Sequence, residues 1–292
     1  MVYKTMKLRA ALSVLLIALF SVIGIQGYAQ SETKILIETN YGNIYAKLYN
    51  DTPIHKSNFI RLANAGRYDG TLFFRVVKNF VIQGASSDSK NPKPGMALGY
   101  GDGITIDAEI KPHHYHKHGA LCAPRQPDRA NFFKESDISQ FYIVVGKVYS
   151  EAEIENMEKS VNVPLKNRIT AKYMDKITKE KLAQLKKEKA EAEAAGNTAL
   201  AKQKVEEFRA IANKVKKDIA FEYESSPERL VISPEKRKDY TTVGGLMHLD
   251  GEYTVFGEVT QGMDVVEKIA ALPTDPDDRP LTDVKIIEVK IL

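Results

Sequence analysis

The segment from residue 74 to residue 84 places an arginine, a glutamine and an aromatic ring on two short apolar runs. Its sequence is Phe74-Arg75-Val76-Val77-Lys78-Asn79-Phe80-Val81-Ile82-Gln83-Gly84. A guanidinium and an amide in this arrangement could bind the polar atoms of a ligand whose apolar part lies against the ring. Composition alone favours a simpler interpretation, in which Arg75 is a solvated residue of a β-strand.

Four histidines lie within six residues, a pattern that could bind a metal ion. They are His113, His114, His116 and His118. The run contains no carboxylate or thiolate, it lies in a predicted loop, and its side chains would have to converge on one point. We therefore predict that there is no metal site here.

Cys122 is the only cysteine of the 292 residues, so an intramolecular disulfide and a multi-cysteine zinc site are excluded. It lies in an apolar run without charged neighbours, which predicts an unreactive thiol in the core. The sequence also lacks a P-loop, a His-Glu-x-x-His motif and a Gly-x-Ser-x-Gly motif, which argues against the common nucleotide-binding and hydrolase classes. We expect no cofactor.

The composition is that of a folded chain whose main partner is not nucleic acid. Apolar residues make up 43% of the sequence and charged residues 27%, which allows a substantial core. The net charge is +4, and three uncompensated basic residues, Lys4, Lys7 and Arg9, lie at the N-terminus. The remainder is close to neutral, whereas phosphate binding requires a concentrated basic face.

The 74–84 segment resembles the signature of the cyclophilin family of peptidyl-prolyl isomerases. That signature has Phe-Arg followed by a hydrophobic pair and, two residues later, Phe-hydrophobic-x-Gln-Gly. Three further blocks resemble the same family in the same order, at 119–121, 139–143 and 249–259. The resemblance covers nearly all of 33–149 and 240–292 and says nothing about 150–238.

The resemblance implies a mainly β fold, a closed antiparallel barrel of eight strands capped by two helices. It implies that Arg75 is the catalytic arginine and that Gln83 holds the substrate carbonyl. It also assigns substrate-binding positions to Phe80, Val81, Pro124, Arg125, Gln140, Tyr142, Leu249 and Tyr253, whereas Phe256 is expected in the barrel core.

Several positions depart from the pattern of the family. Many members have Ala-Asn at Pro124-Arg125, Phe at Tyr142, His at Tyr253 and Gly-Asp at Ala85-Ser86. His248 stands where cyclosporin-sensitive members have tryptophan, which removes a large apolar contact and an indole donor. We therefore expect weak cyclosporin binding.

The chemistry that the resemblance implies is rotation about a prolyl peptide bond. Rotation is opposed by a barrier of about 18–20 kcal/mol, because the nitrogen lone pair is delocalised into the carbonyl. A guanidinium that donates to the prolyl nitrogen would favour the twisted form. Lowering the barrier by about 5–6 kcal/mol would accelerate rotation roughly 10⁴-fold without a nucleophile, acid, base or metal. The alternative is a non-catalytic peptide-binding chaperone that uses the same groove.

Sequence patterns around these motifs predict short strands and two helices. A hairpin is predicted at 33–39 and 43–48, followed by a capped helix over 52–65. A second helix is predicted near 263–271. Further strand patterns lie at 71–77, 80–83, 119–122, 140–145, 253–259 and 284–292. Such short strands are typical of a β-barrel or a sandwich.

Residues 150–238 are rich in Lys, Glu and Ala, which predicts a helical insertion in one discontinuous domain, 30–149 with 239–292. Ser150 begins a capping box, and an apolar stripe from Val205 to Ile219 predicts a helical hairpin. Ser226-Pro227 and Ser233-Pro234 each predict the start of a further short helix. The insertion either packs on itself and the barrel or serves as an arm that holds clients or docks a partner. We expect residues 150–238 to be dispensable for the barrel but to matter for large clients, so that a deletion of 155–235 leaves peptide isomerisation close to normal.

Residues 1–29 have the three regions of a secretory signal peptide: a basic start, an apolar run and small residues before a polar stretch. The alternative is an uncleaved membrane anchor. In both cases we expect export to the periplasm or the cell exterior. The expected partners are unfolded or loop-containing polypeptides with Xaa-Pro bonds, without nucleic acid and, after cleavage, without membrane.

Overall fold

The computed structural model describes residues 31–93 and 96–292, which contain ten β-strands and six α-helices. The strands are β1 (Thr33–Thr39), β2 (Gly42–Leu48), β3 (Phe73–Val76), β4 (Val81–Gly84), β5 (Thr105–Ile106), β6 (Ala120–Cys122), β7 (Ser136–Asp137), β8 (Phe141–Val144), β9 (Val255–Gln261) and β10 (Ile286–Ile291). The helices are α1 (Pro53–Asn64), α2 (Glu151–Tyr173), α3 (Lys176–Ala194), α4 (Thr198–Ser225), α5 (Pro234–Thr242) and α6 (Met263–Ala270). The predicted signal peptide lies outside the described residues. Within the described ranges, no helix combines the length and the apolar composition that membrane crossing requires.

Eight of the strands form one antiparallel sheet in the order β10-β1-β2-β9-β6-β8-β4-β3. The sheet closes on itself because its two edge strands also meet. The amide of Phe73 donates to the carbonyl of Val284 at 2.9 Å, and the amide of Ile286 donates to the carbonyl of Thr71 at 2.8 Å. The predicted eight-stranded antiparallel barrel is thus confirmed.

Side chains alternate between the inside and the outside of the barrel, as the pleat of a strand requires. On β4 and β8, Ile82 and Ile143 point into the inner core, and α1 and α6 add Phe59 and Ile269 to it. Each such side chain stabilises the fold by about 1.5–3 kcal/mol through burial. Phe256 belongs to this core, as predicted, so the residues left for a site are those on the outer face.

A second apolar cluster lies on the outer face of the strands β4, β8, β6 and β9. Its buried members include Val81, Cys122 and Tyr142, and Phe80 and Leu249 pack against it while half-buried. The outer face of this sheet is therefore apolar in one patch, with partly exposed side chains around it.

Four helices lie between β8 and β9. Helices α3 and α4 form the predicted hairpin, and α4 also packs against α2. The predicted capping box at Ser150 begins α2, and the Ser233 side chain accepts the amide of Lys236 at the start of α5. The helix predicted at Ser226-Pro227 is wrong. Helix α4 continues to Ser225, and Ser226 is its C-terminal cap. Pro227 follows directly after the cap, a position where proline is common because it cannot continue the helix.

The two ends of the helical segment meet at one crossing on the barrel. Lys147 and Gly245 exchange backbone hydrogen bonds of 3.1 and 3.0 Å, and the amide of His118 donates to Gly244 at 2.9 Å. Gly244 has a φ of +86°, and a Cβ on Gly245 would collide with the carbonyl oxygen of His116. The crossing therefore requires glycine. The boundary predicted between the insertion and the second part of the barrel domain, at 238/239, lies inside α5.

A third apolar cluster joins the helical segment to the barrel beside this crossing. Tyr149, Ile154, Ile232 and Tyr240 pack there against Met247, which lies between α5 and β9. Tyr240 and Ile154 are fully buried. The nearer part of the helical segment thus shares buried contacts with the barrel.

Candidate active site

One pocket of about 180 Å³ on the outer face of the barrel gathers nine of the ten site residues predicted from the sequence. Its wall is formed by Arg75, Phe80, Val81, Gln83, Pro124, Arg125, Tyr142, Leu249 and Tyr253. These residues come from four separate stretches of the chain, 75–83, 124–125, 142 and 249–253. Alternation on β4 and β8 explains why Val81, Gln83 and Tyr142 share this face.

Arg75 stands on β3 at one side of the pocket, with 39% of its side chain exposed. Its Nε lies 3.2 Å from the Oδ2 of Asp278, and its guanidinium lies 5.7 Å from the centre of the Phe80 ring. Asp278 is in turn fixed by the backbone, since its carbonyl accepts the amide of Val76 at 2.8 Å. Asp278 and the ring thus hold the guanidinium in place while its terminal nitrogens remain available.

Gln83 is held by the tenth predicted residue, Gln140. The Nε2 of Gln83 donates to the Oε1 of Gln140 at 3.0 Å. Gln140 is itself fixed, because its Nε2 donates to the carbonyl of Gly99 at 3.0 Å and to the Oδ2 of Asp137 at 3.1 Å. An amide nitrogen carries two hydrogens, so Gln83 retains one N–H for a ligand.

The apolar side of the pocket consists of Phe80, Val81, Tyr142 and Leu249, with the Tyr253 ring at right angles to that of Tyr142. The Arg125 guanidinium lies 4.8 Å from the centre of the Tyr253 ring. Arg125 is not free to bind a ligand with its charge, because its Nε and Nη2 donate to Glu252 at 2.7 and 2.9 Å. If Arg125 binds substrate as predicted, it must do so through its backbone or through the flat face of its guanidinium.

Comparison with known proteins identifies the family. The sequence model of the family described as "Cyclophilin type peptidyl-prolyl cis-trans isomerase/CLD" matches residues 34–171 and 238–291. The chain belongs to this family. It is a cyclophilin-type peptidyl-prolyl cis-trans isomerase.

Relatives of this cyclophilin carry the same designation. A putative peptidyl-prolyl cis-trans isomerase of Staphylococcus saprophyticus is 26% identical over 263 residues, which are 90% of this chain and 93% of the relative. A peptidyl-prolyl cis-trans isomerase of Acinetobacter baylyi is 30% identical over 154 residues, 48% of this chain and 78% of the relative. A solved cyclophilin-type isomerase of Cryptosporidium parvum is 18% identical with a TM-score of 0.48, covering 89% of this chain and 98% of the other.

A buried chain of hydrogen bonds connects the pocket of this cyclophilin to helix α5. The hydroxyl of Tyr142 lies 2.9 Å from the Nε2 of His116, and the Nδ1 of His116 lies 3.2 Å from the Oδ1 of Asp250. The Oδ2 of Asp250 accepts the hydroxyl of Tyr240 at 2.8 Å and lies 3.5 Å from the Nζ of Lys236. His116 is fully buried. Tyr142, which borders the pocket, is thereby tied to the helical insertion.

Sequence reasoning missed three residues around the pocket: His116, Asp250 and Asp278. Asp250 belongs to a block that resembles the family, and His116 lies in the histidine run. The sequence therefore drew attention to each residue but did not indicate that they contact each other. Asp278 is 203 positions from Arg75, and no local pattern connects such residues.

The four histidines of the run separate into three places. His116 joins the chain just described, and His118 Nδ1 lies 2.6 Å from the carbonyl oxygen of Val145. His113 and His114 each place Nε2 2.7 Å from a different oxygen of Asp51. Among the described residues, these last three are the group whose ligand atoms lie close enough together to hold a metal ion. The absence of a metal site stays a prediction.

Burial controls the electrostatics of the pocket. It raises the pKa of Tyr142 and of Cys122 well above their usual values, which fits the predicted unreactive thiol. It also lowers the pKa of His248, whose ring stacks on Phe80 at 6.1 Å. Burial opposes ionisation of Asp250, but the hydrogen bonds from the side chain and backbone of His116, together with the charge of Lys236, outweigh it and hold the pKa of that carboxyl below its usual value.

Proposed function

We propose that this isomerase twists the Xaa-Pro bond with Arg75 and Gln83, and that its clients are unfolded or loop segments of exported proteins. The proline ring would lie against Phe80, Val81, Tyr142 and Leu249. The Arg75 guanidinium would donate to the prolyl nitrogen, where lone-pair density appears as the bond twists. The remaining N–H of Gln83 would bind the preceding carbonyl.

The observation that supports these roles most directly is the convergence of the predicted residues on one pocket. A donor on one side, an amide on another and an apolar wall between them match a ring with a polar bond beside it. Asp278 and Gln140 hold the two polar side chains before the substrate arrives, so little ordering remains when the twisted bond forms.

Turnover of a short proline-containing peptide tests the assignment. We expect Arg75→Ala to lower kcat/KM about 10²–10³-fold, because one preorganised donor to the transition state is lost. Lys78→Ala is the matched control, since Lys78 is basic, exposed and three residues away, and it should leave turnover unchanged.

The same experiment addresses the second candidate function, a non-catalytic peptide-binding chaperone. In that case, the peptide would isomerise at its spontaneous rate in the presence of either the wild type or Arg75→Ala, although both proteins would bind it. Equal turnover above the spontaneous rate in both proteins would instead show that another group performs the reaction.

Export is proposed on the sequence pattern of residues 1–29. Expression of the full chain in a Gram-negative cell, followed by fractionation and mass measurement of the intact protein, tests it. A periplasmic product that lacks about 29 residues supports cleavage, a membrane-bound product of full mass supports an anchor, and a cytoplasmic product of full mass contradicts export.

A further inference from the structure

A groove of about 730 Å³ lies between the barrel and the nearer part of the helical insertion, beside the cluster that joins them. The barrel side contributes Tyr115, Met247 and His248. The insertion side contributes Met157 and Val161 from α2 and the segment 230–233 that leads into α5. Neither side alone forms the groove, so it exists because the insertion is present.

The insertion side presents apolar side chains to solvent in this groove. Val161 is 55% exposed and Val231 is 59% exposed. The charged residues of the lining are Glu235, Lys236, Asp250 and Glu252. Asp250 is paired with Lys236, and Glu252 with Arg125 and Lys134, so most of this charge is compensated within the protein. An apolar ligand of low net charge fits such a surface.

One short segment, residues 247–253, lies between the groove and the active-site pocket. Met247, His248, Asp250 and Glu252 line the groove, whereas Leu249 and Tyr253 line the pocket. The His248 ring also stacks on Phe80 with 12° between the planes. One side of this segment therefore faces the groove, and the other side faces the pocket. The hydrogen bond of Asp250 to Tyr240 fixes the segment against the insertion.

We infer that this groove is a second subsite, which binds an apolar side chain of the same polypeptide whose proline occupies the pocket. The inference rests on the proposed function of the pocket. The rings of Phe80 at the pocket and His248 at the groove are 6.1 Å apart, and an extended chain advances about 3.3–3.6 Å per residue. A chain that leaves the pocket past His248 therefore passes these rings in about two residues and places a residue about three to five positions from the proline in the groove. The occupant is therefore an unfolded client, and short peptides do not reach the subsite.

Two matched series of peptides test the inference. Each longer peptide has the same Xaa-Pro centre as a short reference peptide, with one residue three, four or five positions away on either side changed between Leu and Ser. For at least one placement, we expect the wild type to turn over the Leu peptide with about tenfold higher kcat/KM than its Ser partner. Equal values at every placement would overturn the inference.

A double variant, Val161→Asp with Val231→Asp, separates the groove from the pocket. We expect it to abolish the preference for Leu while leaving turnover of the short reference peptide unchanged. Val163→Asp is the control, because Val163 also lies on α2, is 49% exposed and does not line the groove. It should retain the preference, and far-ultraviolet circular dichroism should show that all three proteins keep their helices.

Failure of the subsite and failure of the proposed function give different results. If the double variant retains the Leu preference while Arg75→Ala abolishes turnover, the subsite is wrong and the pocket assignment holds. If Arg75→Ala turns over the short peptide normally, the pocket assignment is wrong, whatever the groove variants show.

Discussion

The barrel and the outer part of the helical insertion use their apolar residues in different ways. The barrel fully buries large side chains such as Phe73, Phe141 and Leu121 in a closed interior. In α4, by contrast, Ala201 is the one buried residue, and the predicted apolar stripe is half-buried. Exposed ion pairs such as Lys214–Asp218 cover the surface of that helix, and such pairs contribute little stability.

The helical insertion thus consists of two parts with different roles. Its near part, which includes Ile154, Ile232 and Tyr240, is packed into the barrel. Its far part, the α3–α4 hairpin, buries only a few side chains between its own two helices, namely Leu182, Leu185, Ala192 and Ala201. The stability of the barrel should therefore depend on the near part and not on the far part.

The largest expected effect comes from Tyr240, which is fully buried at the junction. We expect Tyr240→Ala to lower the free energy of unfolding by about 3–5 kcal/mol, because an aromatic side chain is removed from a packed site. Phe221→Ala in α4, where the ring is 76% exposed, should change it by less than about 0.5 kcal/mol. Urea unfolding measures both values, and similar losses would contradict the division into two parts.

Two deletions sharpen the same division. Removing 155–235, which the sequence suggested was dispensable, takes away buried Ile232 and the cap Ser233, so we expect a loss of about 3 kcal/mol. Removing 164–228 keeps them. Asn162 and Leu230 already exchange two hydrogen bonds of 2.8 Å, so a short Gly/Ser bridge should close the gap at small cost.

Urea unfolding and short-peptide turnover of the two shortened proteins provide the comparison. The 164–228 deletion should match the full chain within about 1 kcal/mol and retain its turnover. An unfolded product from this deletion would show that the far part also belongs to the core of the barrel.

The buried chain from the pocket to α5 is tested by a double-mutant cycle. We expect His116→Phe to destabilise the protein by about 1–3 kcal/mol, because the Tyr142 hydroxyl and one oxygen of Asp250 lose a partner. Tyr142→Phe removes the hydroxyl that has lost its bond to His116, so the double variant should lose about 1 kcal/mol less than the sum of the single losses. If the two single losses simply add, His116 and Tyr142 are not energetically coupled through their 2.9 Å contact.

The barrel should lose stability in mild acid through His55. Burial lowers the pKa of His55 although the carboxylate of Glu109 opposes the effect, and its Nε2 has no partner within the described part of the chain. The unfolded chain therefore takes up a proton here at higher pH than the folded chain. The contribution is present above about pH 6.5 and is lost as the pH falls further.

Urea unfolding at pH 7.5 and pH 5.5 measures this effect. The decrease in unfolding free energy between the two values should be smaller in His55→Gln than in the wild type. His113→Gln, at an exposed position, should behave like the wild type. An unchanged decrease in His55→Gln would assign the acid sensitivity to other groups.

The smallest effect is expected at Ala85, where the family pattern has glycine. Ala85 has a φ of +70°, a conformation that strains alanine by about 1–2 kcal/mol. Relief of this strain opposes the lost methyl group and the greater entropy of glycine, so Ala85→Gly should change stability by less than about 1 kcal/mol. Ala123→Gly, equally buried at 2% exposure but without positive φ, should cost measurably more, and equal costs would argue against strain.

The sequence predicted most of the barrel and of the pocket because both follow local rules. Alternation of apolar residues located the strands, and the resemblance of the 74–84 segment to the cyclophilin signature assigned the two polar groups of the site, Arg75 and Gln83. The helix at Ser226 was a false prediction, since a Ser-Pro pair fits the end of one helix as well as the start of another.

Contacts between distant residues could not be predicted in this way. His116 meets Asp250 across 134 positions, and Arg75 meets Asp278 across the closure of the barrel. Asp51 was likewise invisible as the partner of His113 and His114. These pairs depend on the topology of the sheet, which no local spacing encodes.

The glycine crossing at Lys147 and Gly245 has a consequence for the evolution and engineering of this chain. Because the polypeptide leaves and rejoins the barrel at one crossing, where Lys147 and Gly245 lie side by side, the barrel places few demands on the length of what lies beyond the near part. A different module with closely spaced ends could replace the α3–α4 hairpin without altering the register of any strand. The barrel can thus carry different inserted modules at this position while its strands and its pocket stay in place.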